Sequence, residues 1–197
     1  MPWESFIGLI AFAFITSVTP GPNNMMLLAS GVNFGLKRTW PHIFGIAFGV
    51  STLLLAMALG LGVLFVWFPA LNNILKFVGA AYMIWLAWKI ATSSGPGEGN
   101  GKSRPMGFFE AMAFQWVNPK AWVMALGAVS GYFSADKPLI SGAILIVTFW
   151  CTGVLSIIPW AAFGQAMQRF LADAARLKWF NYAMGAGLIA SLWPMLK

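Results

Sequence analysis

The most constraining feature of this chain is the length of its uncharged runs. Residues 5–36 and residues 39–75 contain no Asp, Glu, Lys or Arg. Each run exceeds the roughly 20 apolar residues that a helix needs to cross a bilayer. Only 9% of the 197 residues are charged, whereas about 25% are charged in a typical soluble domain. The chain has too few charges to cover a water-facing surface, which predicts an integral membrane protein.

Composition also argues against several other classes of protein. The net charge of +7 could indicate nucleic-acid binding, but the basic residues are scattered, so no nucleic-acid partner is expected. Cys151 is the only cysteine, which excludes an intramolecular disulfide and a cysteine-rich metal site. Neither a G-x-S-x-G motif nor a phosphate loop occurs. We therefore predict no enzyme activity, no cofactor and no metal.

Charged residues and Gly/Pro-rich segments divide the chain into six apolar segments, which predicts an all-α membrane protein with six transmembrane helices. The predicted spans are residues 6–32, 40–68, 74–92, 107–131, 138–163 and 179–196. Residues 164–178 carry apolar side chains at helical spacing with charges between them. This pattern predicts either a short amphipathic helix on the membrane surface or an extension of the fifth span.

The distribution of Lys and Arg predicts the topology. With six spans, the first, third and fifth loops share one side of the membrane and hold most of the basic residues. These are Lys37, Arg38, Lys89, Lys102, Arg104, Arg169, Arg176 and Lys178. The opposite side has only Lys76, Lys137 and Lys197. Because cytoplasmic loops are enriched in basic residues, both termini are predicted to lie outside the cytoplasm.

A polar, Gly-rich linker at residues 93–105 separates two halves, residues 1–92 and 106–197, of a single membrane domain. Each half has three predicted spans, so the two halves would have opposite orientations, as in transporters with inverted-topology repeats. The first span of each half places Pro beside Asn, in TPGPNN (residues 19–24) and VNPK (residues 117–120). These shared marks support an inverted repeat.

Both Pro–Asn motifs lie near the middle of their spans, which predicts that the first and fourth helices are broken near the membrane midplane. Freed backbone groups at that depth must be buried in protein or line a cavity. We therefore predict a substrate site, with the N-termini of the two half-helices directed at a carboxylate. The alternative is a pair of proline kinks with Asn packing between helices. The candidate binding residues are Pro20, Gly21, Pro22, Asn23, Asn24, Gln115, Asn118, Pro119, Lys120 and Tyr82.

Four candidates have two interpretations each. Lys120 at the centre of a span costs about 2.5–3.5 kcal/mol, so it is expected either to pair with a substrate carboxylate or to donate to carbonyls of the other motif. The Tyr82 hydroxyl either reaches the site or packs in the core. Glu110 and His42 are candidates for proton coupling, with an interfacial carboxylate and an interfacial histidine as the alternatives.

Three segments resemble the LysE/RhtB family of bacterial amino-acid exporters. They are TPGPNNMML (residues 19–27), GAAYMIWLAWK (residues 79–89) and QWVNPKAW (residues 115–122). The resemblance covers nearly the whole chain and implies efflux of amino acids or their derivatives across the bacterial inner membrane, driven by protons. Carried over by position, it implicates Pro20, Gly21, Pro22, Asn23, Asn118, Pro119 and Lys120.

Residues 79–93 are especially similar to the cysteine and O-acetylserine exporter branch. Branches that export basic amino acids tend to carry an Asp in the second span, and this chain has no acid there. A neutral, amino-acid-like substrate is therefore expected, with protons and membrane lipids as further partners and a homodimer left open. A passive channel and a lipid-handling membrane protein without transport activity are the alternatives.

Overall fold

The computed structural model describes residues 1–68, 70–93 and 104–193, and these residues form helices without any strand. The helices are α1 (Trp3–Val18), α2 (Pro22–Phe34), α3 (Leu36–Ala58), α4 (Leu61–Trp67), α5 (Ala70–Ala91), α6 (Phe108–Gln115), α7 (Pro119–Tyr132), α8 (Pro138–Met167) and α9 (Ala174–Ala190). The predicted all-helical class is confirmed over this part of the chain. Residues 94–103, most of the predicted linker, lie outside the described residues.

Three of the described helices are long and apolar enough to cross a membrane: α3, residues Asn73–Ala91 of α5, and α8. The pair α1 and α2 would add a fourth span if the two helices are counted as one bent segment. These lengths and compositions agree with a membrane protein. The count of six spans and the inverted repeat stay predictions.

The first predicted span is broken, as its prolines predict. Helix α1 ends at Val18, α2 begins at Pro22, and the two helices bend by 55° relative to each other. Pro22 occupies the first position of α2, where its fixed φ suits a helix start and its missing N–H is not needed. Gly21 before it is fully extended. The chain therefore stops one helix and starts another within three residues.

The fourth predicted span is broken in the same way at its own proline. Helix α6 ends at Gln115 and α7 begins at Pro119. Asn118 is the N-cap of α7, and its side chain accepts a hydrogen bond from the backbone N–H of Lys120 at 3.2 Å. An Asn followed by Pro is a favourable helix start.

The second predicted span, residues 40–68, is not one helix. Helix α3 starts earlier, at Leu36, and ends at Ala58, and α4 follows from Leu61. Gly60 between them has a φ of +96°, which glycine adopts without strain. Its N–H donates to the carbonyl of Met57 at 3.0 Å, a typical glycine helix ending.

The segment 164–178 follows neither of its two predicted structures over its whole length. Its first four residues extend α8 to Met167, the next ones form a turn, and α9 begins at Ala174 rather than at residue 179. Asp173 caps α9 by accepting from the N–H of Arg176 at 2.9 Å. The charged residues that suggested a surface helix therefore mark a turn and a helix start.

Two clusters of buried side chains hold the helices together. The larger one includes Leu9 of α1, Leu53 of α3, Ala125 of α7 and Leu145 of α8. The smaller one joins α5 and α9 to α2 and α6. Both breaks border the larger cluster, and Thr19 and Pro20 of the first break are exposed.

Candidate functional site

The two broken spans meet through their side-chain amides. Asn23 donates to Oε1 of Gln115 at 2.8 Å, and Gln115 donates back to Oδ1 of Asn23 at 3.0 Å. Asn118 also donates to Oε1 of Gln115, at 3.2 Å. Gln115 and Asn118 are buried. The sequence prediction that the two motifs lie together therefore agrees with the structure.

The side chain of Asn24 donates hydrogen bonds to backbone carbonyls that the first break leaves without a partner in the helix. Its buried amide donates to the carbonyl oxygens of Ser17 at 2.9 Å and Thr19 at 2.8 Å, with a longer contact of 3.3 Å to Val18. The indole N–H of Trp160 on α8 also reaches the Val18 carbonyl, at 3.2 Å. The last carbonyls of a helix have no intrahelical partner, and these donors supply one.

Lys120 bridges from α7 to the first break. Its Nζ lies 2.7 Å from the Thr19 carbonyl, 2.9 Å from the Thr19 hydroxyl and 3.3 Å from the Pro20 carbonyl. An ammonium has three N–H donors, so these three oxygens match its capacity. The structure thus places Lys120 on carbonyls of the other motif, which is one of its two predicted roles. Its side chain is partly exposed, and a carboxylate role stays a prediction.

The N-termini of the two half-helices differ. The first backbone bond of α2 runs from Met25 N–H to the Gly21 carbonyl, which leaves the N–H groups of Asn23 and Asn24 without an acceptor inside the helix. No side chain caps α2. In α7, Asn118 already accepts from the N–H groups of Lys120 and the next residue. The N-terminus of α7 is therefore capped by its own Asn118, whereas that of α2 is not capped by a described side chain.

A cavity of about 40 Å³ lies at the junction, with room for a few water molecules. Five of the predicted site residues line it: Gly21, Asn23, Asn24, Asn118 and Lys120. Apolar side chains of α3 and α8 complete its wall. Pro20, Pro22, Gln115, Pro119 and Tyr82 are not among its lining residues; Pro22 and Pro119 start the half-helices, and Gln115 links them.

Tyr82 and Glu110 lie away from this cavity. The Tyr82 ring packs on Phe114, with ring centroids 5.6 Å apart, in agreement with its predicted core alternative. Glu110 accepts two hydrogen bonds from Arg104, at 2.6 and 2.8 Å, and one from the N–H of Gly107 at 2.7 Å. The hydrogen bond to Glu110 raises the pKa of the Arg104 guanidinium above its usual value. Glu110 therefore anchors the start of α6.

His42 is 1% exposed, seven residues into α3. Neither of its ring nitrogens has a hydrogen-bond partner in the part of the chain that the structure describes. The protein surrounds this ring on all sides.

Several residues of the junction were missed from the sequence. Thr19 supplies two of the three oxygens around Lys120, and Trp160 donates to the end of α1. Thr19 belongs to the TPGPNN motif and could have been included as a neighbour of the proline break. Trp160 lies in an apolar helix with many other aromatic residues, and no local pattern distinguishes it.

Comparison with known proteins identifies the family of this chain. The family model described as LysE type translocator matches residues 14–190. A "Cysteine/O-acetylserine efflux protein" of Salmonella typhimurium is 33% identical over 162 residues, 80% of this chain and 81% of that protein. Proteins of the same name are 33% identical in Klebsiella pneumoniae, over 89% of this chain and 90% of theirs, and 32% identical in Escherichia coli K12, over 84% and 85%.

No solved structure matches this chain. The family model nevertheless covers both Pro–Asn motifs, which lie within its matched residues 14–190. The family resemblance predicted from the sequence is confirmed. The chain belongs to the LysE-type translocator family of membrane transporters.

Proposed function

We propose that this protein exports a small neutral amino acid or amino-acid derivative from the bacterial cytoplasm, with cysteine and O-acetylserine as the first candidates. The observation that carries the proposal is the junction of two broken helices at one cavity, which holds an uncapped helix N-terminus beside a lysine. Relatives that share about a third of its residues are named for efflux of these two compounds.

The junction suits a carboxylate. The free N–H groups at the start of α2 and the positive end of that helix favour an anion. The ammonium of Lys120 makes its longest contact, 3.3 Å, to the Pro20 carbonyl. A substrate carboxylate can replace this contact while the two oxygens of Thr19 keep their bonds.

The cavity wall favours a neutral side chain. No acidic residue is among the lining residues, and the wall includes the small or apolar Ala47, Gly153 and Ile157. A cationic side chain would be buried without a partner, which is costly.

The relative directions of the packed helices support six spans. Helices α3 and α6 are parallel, since Gly45 faces Phe108 and Gly49 faces Met112. The first span and α8 also run in the same direction. Trp160 of α8 donates to the carbonyl of Val18 at the end of α1, and Gln168, just after α8, donates to the carbonyl of Val32 near the end of α2. If six spans alternate in direction, the second and fourth spans must be parallel, and so must the first and fifth spans.

Helix packing is also consistent with an inverted repeat. The first span of each half packs on the second span of the other half: α1 and α2 on α8, and α6 and α7 on α3. The third spans, α5 and α9, pack on each other. In our proposal the halves rock against each other to give alternating access, with both termini outside the cytoplasm of a multi-pass inner-membrane protein.

Transport by everted membrane vesicles tests the proposal. Vesicles with an acidic interior are given radiolabelled cysteine, O-acetylserine, homoserine, lysine or arginine. We expect saturable accumulation of a neutral compound that collapses when the proton gradient is dissipated. Flux that neither saturates nor responds to the gradient indicates a channel. Absence of amino-acid flux, together with no amino-acid-dependent change in Tm, indicates a lipid-handling role and overturns the proposal.

A further inference from the structure

The buried ring of His42 has no hydrogen-bond partner among the residues that the structure describes. His42 is the only histidine of the chain. Its side chain is 1% exposed, and both Nδ1 and Nε2 lack a hydrogen bond within the described residues. Buried polar atoms in native proteins are almost always hydrogen-bonded, and each exception calls for an explanation. Two such atoms on one side chain point to a role in another state of the protein.

His42 lies on the face of α3 that packs against α6. Gly45 and Gly49 follow it by three and seven residues, which places all three on one side of the helix. A Cβ on Gly45 would meet the carbonyl of Phe108, and one on Gly49 would lie 2.6 Å from the carbonyl of Met112. The backbones of α3 and α6 are therefore in direct contact. We call this arrangement the closed packing.

The elements packed on α3 bring few charges to this ring. Glu110 on α6 is close enough for its charge to act on His42, but its oxygens are bonded to Arg104 and to the N–H of Gly107. Helices α2 and α4 have no ionisable side chain. The remaining ionisable groups are the exposed Cys151 of α8, Lys120 and Tyr132 of α7, and Lys37 and Arg38 of α3 itself.

We propose that His42 is the proton-binding group of this exporter, neutral in the closed packing and protonated when α3 and α6 separate. The inference rests on the proposed export function. An imidazolium has two N–H donors, and in the closed packing the described residues offer no acceptor to either of them. Burying that charge without a partner is strongly unfavourable. Separation of the helices would admit water, and a histidine in water changes its charge between about pH 5 and pH 8.

Proton binding and helix separation are then linked. In the open packing a lone pair of Nδ1 or Nε2 takes a proton from water on the outer side of the membrane, and the same nitrogen returns the proton to water on the cytoplasmic side before the closed packing forms again. A pH difference across the membrane thus biases the conformational cycle through His42. Glu110, the other sequence candidate, is already paired, and its task is to hold the start of α6.

The first experiment separates proton coupling from structural effects with His42→Gln. In proteoliposomes, exchange of labelled for unlabelled substrate requires binding and movement but no net proton transfer. Accumulation against a gradient requires the proton. We expect His42→Gln to keep exchange within about threefold of wild type and to lose accumulation by at least tenfold. Glu110→Gln is the matched control and is expected to keep both activities.

Accumulation by His42→Gln at the wild-type level overturns the inference and leaves the proposed function standing. Failure of the wild-type protein to move any amino acid overturns the function itself. Loss of both exchange and accumulation in the variant can come from misfolding, so a second experiment uses wild-type protein alone.

Diethylpyrocarbonate modifies a neutral imidazole that water can reach, and the single histidine makes the product easy to assign by mass spectrometry. We expect His42 to be protected without substrate and modified during substrate exchange at about pH 8 on both sides, where an imidazole that reaches water is mostly neutral. Equal protection in both conditions shows that the ring never meets water, and this outcome overturns the inference.

Discussion

The two broken spans differ in what holds them together. At the first break, the carbonyls of residues 17–20 are bonded by Asn24, by Trp160 of α8 and by Lys120 of α7. At the second break, the turn bonds mainly to itself: Asn118 caps α7, and the indole of Trp122 donates to the Trp116 carbonyl at 2.9 Å. The backbone of the first break depends on donors from the other half of the chain. The second break contacts the other half through side chains, Gln115 to Asn23 and Trp116 to Thr52.

This difference suggests that the two breaks have different roles in transport. A break bonded within its own span keeps its shape when the two halves move relative to each other. A break whose carbonyls are bonded by Lys120 loses those bonds when α7 withdraws. We therefore expect the first break to adapt during the cycle and the second to act as a rigid support for Lys120 and Gln115.

Lys120→Met gives the largest expected effect. The change removes the charge proposed to bind the carboxylate. It also leaves the Pro20 carbonyl without its donor and the Thr19 carbonyl with the Asn24 amide alone. Substrate accumulation in vesicles is expected to fall to background. Loss of hydrogen bonds to a charged group also costs about 1.5–3 kcal/mol of stability, measured by unfolding in detergent.

Lys178→Met serves as the matched control for this change. Lys178 is exposed, and its ammonium lies 5.7 Å from the centre of the Tyr182 ring, away from both breaks. It is expected to leave transport and stability close to wild type. Normal accumulation by Lys120→Met would show that the lysine serves the first break only as a structural donor.

Asn24→Ala is expected to be the most destabilising change of an amide in the junction. The Asn24 amide donates to the carbonyls of both Ser17 and Thr19, so the substitution removes a donor from each of them. A buried group left unsatisfied costs about 1–3 kcal/mol. Thermal unfolding in detergent, with and without substrate, measures the loss. A change in Tm no larger than that of Asn118→Ala contradicts the difference between the two breaks.

Local chemistry explains which parts of the fold were predictable. The breaks at Pro20–Pro22 and Pro119 follow from the missing N–H of proline, which acts wherever the residue lies in a helix. Lys120 stood out because a charge at the centre of an apolar span has few acceptable environments. Both features depend on residues adjacent in sequence, so the sequence alone was enough to select these residues as candidates.

Features set by packing or by a single backbone angle were not predictable in the same way. Gly60 lies in an uninterrupted apolar run, so nothing marked the end of α3 at Ala58. The turn before α9 was hidden because its apolar spacing continues the helical pattern, although Asp173 is an N-cap signal that could have found it. The burial of His42 depends on the approach of α6, which lies far away in the sequence.

Gly21→Ala tests how closely the position of Lys120 depends on the first break. A Cβ at Gly21 would lie 2.8 Å from Cδ of Lys120 and 3.0 Å from Nζ. The extended backbone there accepts alanine, so the effect falls on the lysine side chain. Transport efficiency is expected to fall about threefold to tenfold, on the order of 1 kcal/mol. Gly131→Ala on α7, where a Cβ meets no atom within 4 Å, is the control.

Asn118→Ala gives the smallest expected effect, because the backbone of the second break is bonded within its own span. Loss of an N-cap side chain costs about 0.5–2 kcal/mol, and the Asn118 carbonyl still accepts from the first turn of α7. Asn118→Ser keeps a capping oxygen but loses the amide contact to Gln115, so it separates the two contributions. Stability close to wild type in the serine variant indicates that the cap matters more. If both variants are as unstable as Asn24→Ala, the second break also depends on contacts between the two halves, and the proposed rigid support is lost.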